Sequence, residues 1–230
     1  MGLMAREPFP LRLRRAGAWT LFALPFAGVA VLAVGSIVYL LQPGWSDAAM
    51  PADAPPLPIV VAGVVFNVPP AAIRIPLQRR AGPQERVDLA YRWPDLTPPD
   101  SHSADLSARL FVTIEVPQTS MSPTERLKSV YPRYIDTLPE SDPAGLTIET
   151  FADGTPYQGE DVIYDPSAPD RFLVRCNRAR NDLTLAMCLY ERPFGDAALT
   201  FRFPRDWLAD WRAVVSGIDR LVEGWRPVGR

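Results

Sequence analysis

The longest apolar stretch of the chain runs from Ala16 to Leu41, and no charged residue occurs between Arg15 and Asp47. A helix rises about 1.5 Å per residue, so roughly 20 apolar residues cross a hydrocarbon core of about 30 Å. The pattern therefore predicts a single-pass transmembrane helix over residues 16–41, preceded by a basic stub over residues 1–15. A cleaved signal peptide is the alternative, although its apolar core is usually only about 7–15 residues long.

The charges that flank the apolar stretch differ between its two ends. Asp47 and Asp53 are the first charges that follow it. Four arginines precede it, namely Arg6, Arg12, Arg14 and Arg15. Arginine and lysine beside a membrane span are retained on the cytoplasmic side. We therefore expect a signal-anchor in the inner membrane, a cytoplasmic N-terminus and a C-terminal domain in the periplasm.

Strand-like patterns begin after a linker that is rich in proline and alanine, residues 42–58. They open a predicted domain over residues 59–230. The nearly continuous apolar run from Ile59 to Val68 predicts one strand that is buried on both faces. Alternation of apolar and polar residues predicts half-buried strands at Val87–Trp93 and Leu110–Val116. Shorter strand candidates are Leu146–Phe151, Asp161–Tyr164 and Ala198–Phe203.

Two segments carry helix signals. Ser122, Pro123 and Glu125 form a helix start, with serine as the cap and glutamate bonding back to the cap. In the last segment, apolar residues recur every three or four positions, which predicts an amphipathic helix ended by Gly224 and Pro227. The recurring residues are Trp207, Trp211, Val214, Ile218, Leu221 and Trp225.

The tryptophan face of that last helix, Trp207, Trp211 and Trp225, is expected to pack across the sheet as the main core. A partner-binding face is the alternative. Strands that gather around few helices, without a repeated strand–helix–strand alternation, are typical of an α+β domain with a mainly antiparallel sheet. The predicted fold is therefore an N-terminal membrane helix followed by one such domain with a C-terminal helix packed on its sheet.

The chain has two cysteines, Cys176 and Cys188, both in the part that is expected to be exported. A polar stretch separates two alternating segments around them, so an antiparallel hairpin can pair the two cysteines directly. An isolated pair in an oxidising compartment favours a disulfide bond. The alternative is two reduced cysteines that pack as small apolar side chains.

Composition and charge narrow the possible partners. The chain has 23 arginines and 1 lysine together with abundant proline and alanine, which is typical of a GC-rich bacterial genome. After Ser46 there are 20 basic and 25 acidic residues, so the part of the chain expected outside the cytoplasm has a net charge of −5. Nucleic acids require a basic surface to neutralise their phosphates, so this charge argues against nucleic-acid binding. It also argues against docking of the domain on anionic lipids.

Candidate chemistry is scarce. His102 is the only histidine, and a catalytic or metal site would have to use it with Asp100 or Asp105 from the same polar loop. Three neighbours in one loop make neither a rigid triad nor a good zinc site. The chain also lacks the glycine motifs that bind nucleotide phosphates. We therefore expect no cofactor, no metal and no identifiable catalytic residue.

Three arginines cluster at the tip of the predicted cysteine hairpin, Arg175, Arg178 and Arg180. They are a weak candidate contact for an anionic group, and the alternative is a solvated turn. Taken together, the sequence predicts an accessory, assembly or scaffolding protein that binds a membrane or periplasmic protein partner. The alternatives are a periplasmic ligand- or glycan-binding module and, third, a cell-envelope hydrolase.

Overall fold

The computed structural model describes residues 31–37, 51, 53–99, 105–118, 121–179 and 185–227. Residues 31–37 are helical and belong to a unit formed by Met1–Ala48. The second compact unit is Ala49–Arg230. The predicted basic stub lies outside the described residues, as do most of the predicted membrane helix and much of the linker. Within the described residues, no helix is both long enough and apolar enough to cross a membrane.

The second unit is a mixed α+β domain with a large antiparallel sheet. Its strands are β1 (Leu57–Val61), β2 (Val64–Val68), β3 (Gly82–Pro83), β4 (Arg86–Arg92), β5 (Arg109–Glu115), β6 (Glu140–Ser141), β7 (Thr147–Thr150), β8 (Glu160–Tyr164), β9 (Leu173–Asn177), β10 (Met187–Phe194) and β11 (Ala197–Pro204). Eight of them form an antiparallel sheet in the order β4-β5-β11-β10-β9-β8-β7-β6. The other three form a small sheet in the order β2-β1-β3.

Among the described residues of this unit, two α-helices accompany the sheets, a short helix (Pro123–Ser129) and the C-terminal helix (Trp211–Gly224). The same residues include four 3-10 segments, at Pro70–Ala72, Pro76–Gln78, Tyr131–Arg133 and Arg205–Asp210. The capping box that the sequence predicts is confirmed. The Ser122 hydroxyl accepts from the Glu125 backbone N–H, and the Glu125 carboxylate accepts from the Ser122 backbone N–H.

One face of the large sheet, here called the front face, carries the main core. The C-terminal helix packs there, and its apolar stripe is buried as predicted. Trp211 stacks on Phe172 with ring centroids 4.8 Å apart, and Trp225 lies against Tyr91 of β4. Tyr91 lies on the edge strand β4, and Phe172 directly precedes β9, the fifth strand in the order, so the helix crosses the sheet from β4 to β9. The predicted packing of a C-terminal helix on an antiparallel sheet is confirmed.

The opposite face, here called the back face, is covered over β7–β9 by a second apolar cluster. Tyr131, Phe151, Val162 and Leu173 are buried in it. The short helix and the 3-10 segment after it supply part of this cover through Leu127 and Tyr131. Strands β5, β11 and β10 carry partly exposed residues on their back face, which gives the domain an open surface there.

The prediction of a single strand from Ile59 to Val68 is wrong. The chain turns at Ala62 and Gly63, whose φ angles are 49° and 79°, and β2 returns antiparallel to β1. Two consecutive positive φ angles are typical of a tight hairpin turn that favours asparagine and glycine. Alanine is not typical of the first position of such a turn, so the sequence does not distinguish the two apolar strands from one continuous strand.

The C-terminal helix begins later than its apolar stripe suggests. Trp207 lies in the 3-10 segment, and the α-helix begins at Trp211 after Asp210, whose carboxylate accepts from the Ala213 backbone N–H at 3.4 Å. Aspartate is a favoured N-cap because its side chain satisfies one free N–H of the first turn. The stripe is therefore continuous in space, although two kinds of helix build it.

The predicted disulfide is confirmed. Cys176 of β9 and Cys188 of β10 lie directly opposite each other in the antiparallel pair, with a Cα–Cα distance of 3.9 Å. Both cysteines are buried in the main core. The cross-link therefore fixes the β9–β10 register that the alternating sequence pattern predicts.

Candidate functional site

A groove with a volume of about 390 Å³ lies beside the first turn of the short helix. One wall is the end of β5, the loop after it and the start of the helix, including Pro117, Met121 and Pro123. The β10–β11 hairpin forms the rest of the lining, including Pro193 and Ala198. We call this feature the hairpin groove. Its volume falls in the range of pockets that bind small molecules or side chains of a protein partner.

Back-face residues of three neighbouring strands form the floor of the hairpin groove. Ala198 of β11 lies between Glu115 of β5 and Pro193 of β10 in one row across the sheet. In the next row, Thr200 of β11 lies opposite Glu191 of β10. Because the central residue of the first row is alanine, whose side chain is small, the groove is deepest there and a partner's side chain can enter.

An ion pair joins the wall of the hairpin groove to its floor. The Arg126 guanidinium on the short helix bonds to the Glu191 carboxylate on β10. Their side chains are 16% and 30% exposed, so water screens the pair only in part. Arg126 Nε is buried and has no hydrogen-bond partner among the described residues. The pair holds the helix against the sheet and places both signs of charge in the lining.

A polar network lies on the back face at the β4 side of this open surface. The Asp88 carboxylate accepts hydrogen bonds from Arg86 at 2.7 Å, Thr113 at 3.0 Å and Gln78 at 3.1 Å. Burial by itself would raise the pKa of Asp88, but these hydrogen bonds outweigh it and hold the pKa below its ordinary value. Arg86 also reaches Glu115 on the groove floor at 3.4 Å. The network therefore continues into the groove.

The predicted arginine cluster is not brought together as one cationic surface among the described residues. Arg175 Nη1 lies 3.0 Å from Glu160, and its guanidinium lies over the Tyr157 ring. Arg178 Nε lies 3.9 Å from the buried carboxylate of Asp161. Arg180 lies outside the described residues. Binding of an anion by these arginines stays a prediction.

The three predicted tryptophans occupy different surroundings. Trp211 and Trp225 are 3% and 2% exposed and belong to the main core. Trp207 is partly buried and stacks between Trp93 and Phe203, with centroid distances of 5.0 and 5.8 Å. Little of this face is therefore left for a partner.

The other candidates for chemistry can be placed only in part. His102 and Asp100 lie outside the described residues. Within the described part of the chain, no group of three or more metal-ligating side chains comes together. Among the groove-lining residues, the Ser122 hydroxyl serves as the helix cap. The lining therefore offers ion pairs, hydrogen bonds and apolar contacts, which are the interactions of a binding surface.

Sequence reasoning missed the hairpin groove. Its residues come from β5, the short helix and the β10–β11 hairpin, and the sheet order that brings them together puts β11 next to β5. A signal was present in the alternation of β11, where Ala198 and Thr200 fall on the face opposite the apolar residues. That alternation predicts a polar face on β11 but does not predict which strands or helix lie beside this face.

No protein family matches the chain, and no curated protein is significantly similar to it in sequence. Among solved structures, the domain resembles Smlt3025, an immunity protein of the Stenotrophomonas maltophilia type IV secretion system. That likeness has 14% identity and a TM-score of 0.53 over 75% of this chain and 94% of that chain. The likeness shows a common fold.

A second similar structure is FrpD, an iron-regulated outer membrane lipoprotein of Neisseria meningitidis. It has 11% identity and a TM-score of 0.45 over 76% of this chain and 94% of that chain.

Proposed function

We propose that the chain is a membrane-anchored periplasmic accessory protein that binds a protein partner of an envelope or inner-membrane complex through the hairpin groove. The observation that carries the proposal is the groove itself. Its lining combines prolines, a low alanine floor and the partly shielded Arg126–Glu191 pair. Interfaces between proteins use such a mixture of apolar contacts and a few well-placed charges.

Two further observations support the location. The apolar stretch over residues 16–41 is long enough for a membrane anchor, with arginines on the side expected to stay in the cytoplasm. The Cys176–Cys188 disulfide fits an oxidising compartment such as the periplasm. The common fold with a secretion-system immunity protein adds a precedent for an accessory role.

The test is copurification of the full-length chain from its own membranes in mild detergent, with the companions quantified by mass spectrometry. Ala198→Arg fills the groove floor, and Ala209→Arg makes the same change at an exposed alanine of the 3-10 segment before the C-terminal helix. We expect a stoichiometric partner with the wild type and with Ala209→Arg, and its loss with Ala198→Arg.

A chain that purifies alone would contradict the proposal, and so would a partner that Ala198→Arg retains. Thermal unfolding of both variants controls for damage to the fold. The second candidate function is a ligand- or glycan-binding module, which the groove volume of about 390 Å³ favours. In that case the chain would come out alone, and Ala198→Arg would abolish binding of a small molecule.

A further inference from the structure

A surface segment far from the hairpin groove in sequence combines exposed apolar side chains with arginines. It is residues 74–86, which we call the strap, and it leads from an isolated bridge at Ile73 into β4. Leu77 is 86% exposed and Ile75 is 41% exposed. Exposure of a whole leucine side chain is unfavourable in water, at roughly 25 cal/mol for each Å² of apolar surface.

The strap is locally basic in an acidic domain. It contains four arginines, Arg74, Arg79, Arg80 and Arg86, and one acidic residue, Glu85. Two of the four already have partners, since Arg86 pairs with Asp88 and Glu115 and Arg79 donates to the Ile73 carbonyl oxygen. Arg80 is exposed and forms no ion pair with the described residues. Arg74 is also exposed, with its guanidinium 4.7 Å from the centre of the Phe111 ring. The net charge of −5 for the part of the chain after Ser46 averages over this local excess of positive charge, so it does not predict how the strap behaves.

Hydrogen bonds hold the strap in this arrangement. Gln84 Nε2 donates to the carbonyl oxygens of Gln78 and Arg80 at 3.0 and 2.7 Å. The Gln78 side chain in turn bonds both the backbone N–H and the carboxylate of Asp88 on β4. Leu77 is therefore presented on a fixed 3-10 turn, and its docking requires little ordering of the backbone.

The position of the strap relates it to the start of the domain. Strand β3 at its centre pairs parallel to β1, with Gly82 opposite Ile59 and Pro83 opposite Val60. Because this pairing is parallel, the strap enters β3 from the side on which β1 begins at Leu57. The strap thus lies at the end of the domain that the linker from the predicted membrane anchor enters.

We infer that the strap docks on the anionic surface of the lipid bilayer, with Leu77 inserted among the headgroups and Arg74 and Arg80 contacting lipid phosphates. The inference rests on the proposed membrane anchoring. Arginine guanidinium groups match phosphate geometry, and one exposed leucine flanked by basic residues is typical of interfacial contact. The anchor supplies a high effective concentration, so a weak contact suffices.

The docking orients the domain. One end faces the bilayer, and the hairpin groove is held at a defined height and direction relative to the membrane. A lipid surface explains the exposed leucine better than a protein groove does, because Arg74 and Arg80 are exposed on the same segment and β1, which the linker enters, pairs with the strap.

The test uses the full-length chain reconstituted in vesicles of phosphatidylethanolamine and phosphatidylglycerol. Leu77 or Leu138 is replaced by photo-reactive benzoylphenylalanine, and lipid adducts are identified by mass spectrometry after irradiation. Leu138 is a matched control because it too is 86% exposed, in the segment before β6. We expect lipid adducts at position 77 and none at position 138.

The role of charge is tested in the same vesicles. Arg80→Glu should lower the adduct yield at position 77 roughly fivefold, as should replacement of phosphatidylglycerol by a zwitterionic lipid. Equal yields at positions 77 and 138 would overturn the inference, as would an adduct at position 77 to a protein when the same chain is irradiated in native membranes.

The two proposals fail in distinguishable ways. A chain that alkaline carbonate extracts from native membranes lacks the anchor, and this result overturns both the anchoring and the docking. A chain that resists extraction but gives no lipid adduct at position 77 overturns only the docking. Loss of the protein partner in Ala198→Arg reports on the groove and is independent of either result.

Discussion

The indole N–H of Trp225 donates a hydrogen bond to the phenol oxygen of Tyr91 at 3.0 Å inside the main core. Trp225 is the C-cap of the C-terminal helix and Tyr91 lies on β4, 134 residues earlier. Both side chains are at most 2% exposed. Burial raises the pKa of Tyr91, so the phenol stays protonated and accepts through its oxygen. Each residue satisfies a polar group of the other that water cannot reach.

Tyr91→Phe should lower the free energy of unfolding by about 1–3 kcal/mol, because it leaves the Trp225 N–H without a partner. Urea denaturation followed by circular dichroism measures this loss. Trp225→Phe provides the second arm of a double-mutant cycle. The double variant should be less destabilised than the sum of the two single variants, and strict additivity would show that the hydrogen bond contributes nothing.

Gly217→Ala should destabilise the domain although alanine favours a helix by about 1 kcal/mol. A Cβ atom at Gly217 would lie 2.6 Å from the Trp93 ring, which Trp207 holds in a stack. Overpacking of this kind costs about 1–3 kcal/mol. Gly224→Ala is the matched control in the same helix, because a Cβ there meets nothing within 4 Å. Thermal unfolding should show a lower Tm for the first variant and an unchanged or higher Tm for the second.

Replacing both cysteines, Cys176→Ala and Cys188→Ala, should cost about 3 kcal/mol, since the cross-link closes a short loop in the unfolded chain. Urea denaturation with and without reductant measures the effect. Reductant should destabilise the wild type and leave the double variant unchanged. If alkylation of the unreduced, unfolded wild type labels two thiols, no disulfide is present.

Asp88 should make the stability of the domain depend on pH at the acid end. Its pKa in the folded state lies below the ordinary value, so its contribution is complete above the ordinary aspartate pKa of about 4. This contribution is lost as the pH falls through the lower folded-state value. The gap in unfolding free energy between wild type and Asp88→Asn should be widest at neutral pH and should shrink below about pH 4. Asp153→Asn, at an exposed position, controls for the loss of one charge. If the difference in unfolding free energy between wild type and Asp88→Asn stays constant down to pH 2, Asp88 is not the source of the pH dependence.

Local features of the fold were predictable because a few neighbouring residues decide them. The Ser122–Glu125 capping box needs one helical turn, and the Cys176–Cys188 pair needs only the alternation of two adjacent strands. The turn at Ala62–Gly63 escaped prediction because positive φ at an alanine is a property of the folded hairpin. The turn propensity of these residues alone therefore does not predict the hairpin.

The hairpin groove and the strap depend on sheet order, which local periodicity does not encode. β11 inserts between β5 and β10, and β3 pairs with β1 rather than with its neighbour β4. In both cases, strands that are neighbours in the sheet are far apart in the sequence or separated by a loop. Bringing such segments together costs loop-closure entropy, and only the contacts of the assembled core offset that cost. A short window of the sequence therefore does not predict these strand pairings.

The central position of β11 has a consequence for the order of events in folding. β4–β5 on one side and β6–β10 on the other touch through β11, and the helix that covers their front face follows β11 after one 3-10 segment. A chain that has emerged only as far as Gly195 therefore holds two separate half-sheets, each with an unpaired edge and an uncovered apolar face. The cysteine hairpin can close at that stage, whereas a core common to both halves cannot. The segment Ala197–Trp225 therefore supplies both the strand that joins the two half-sheets and the helix that covers them.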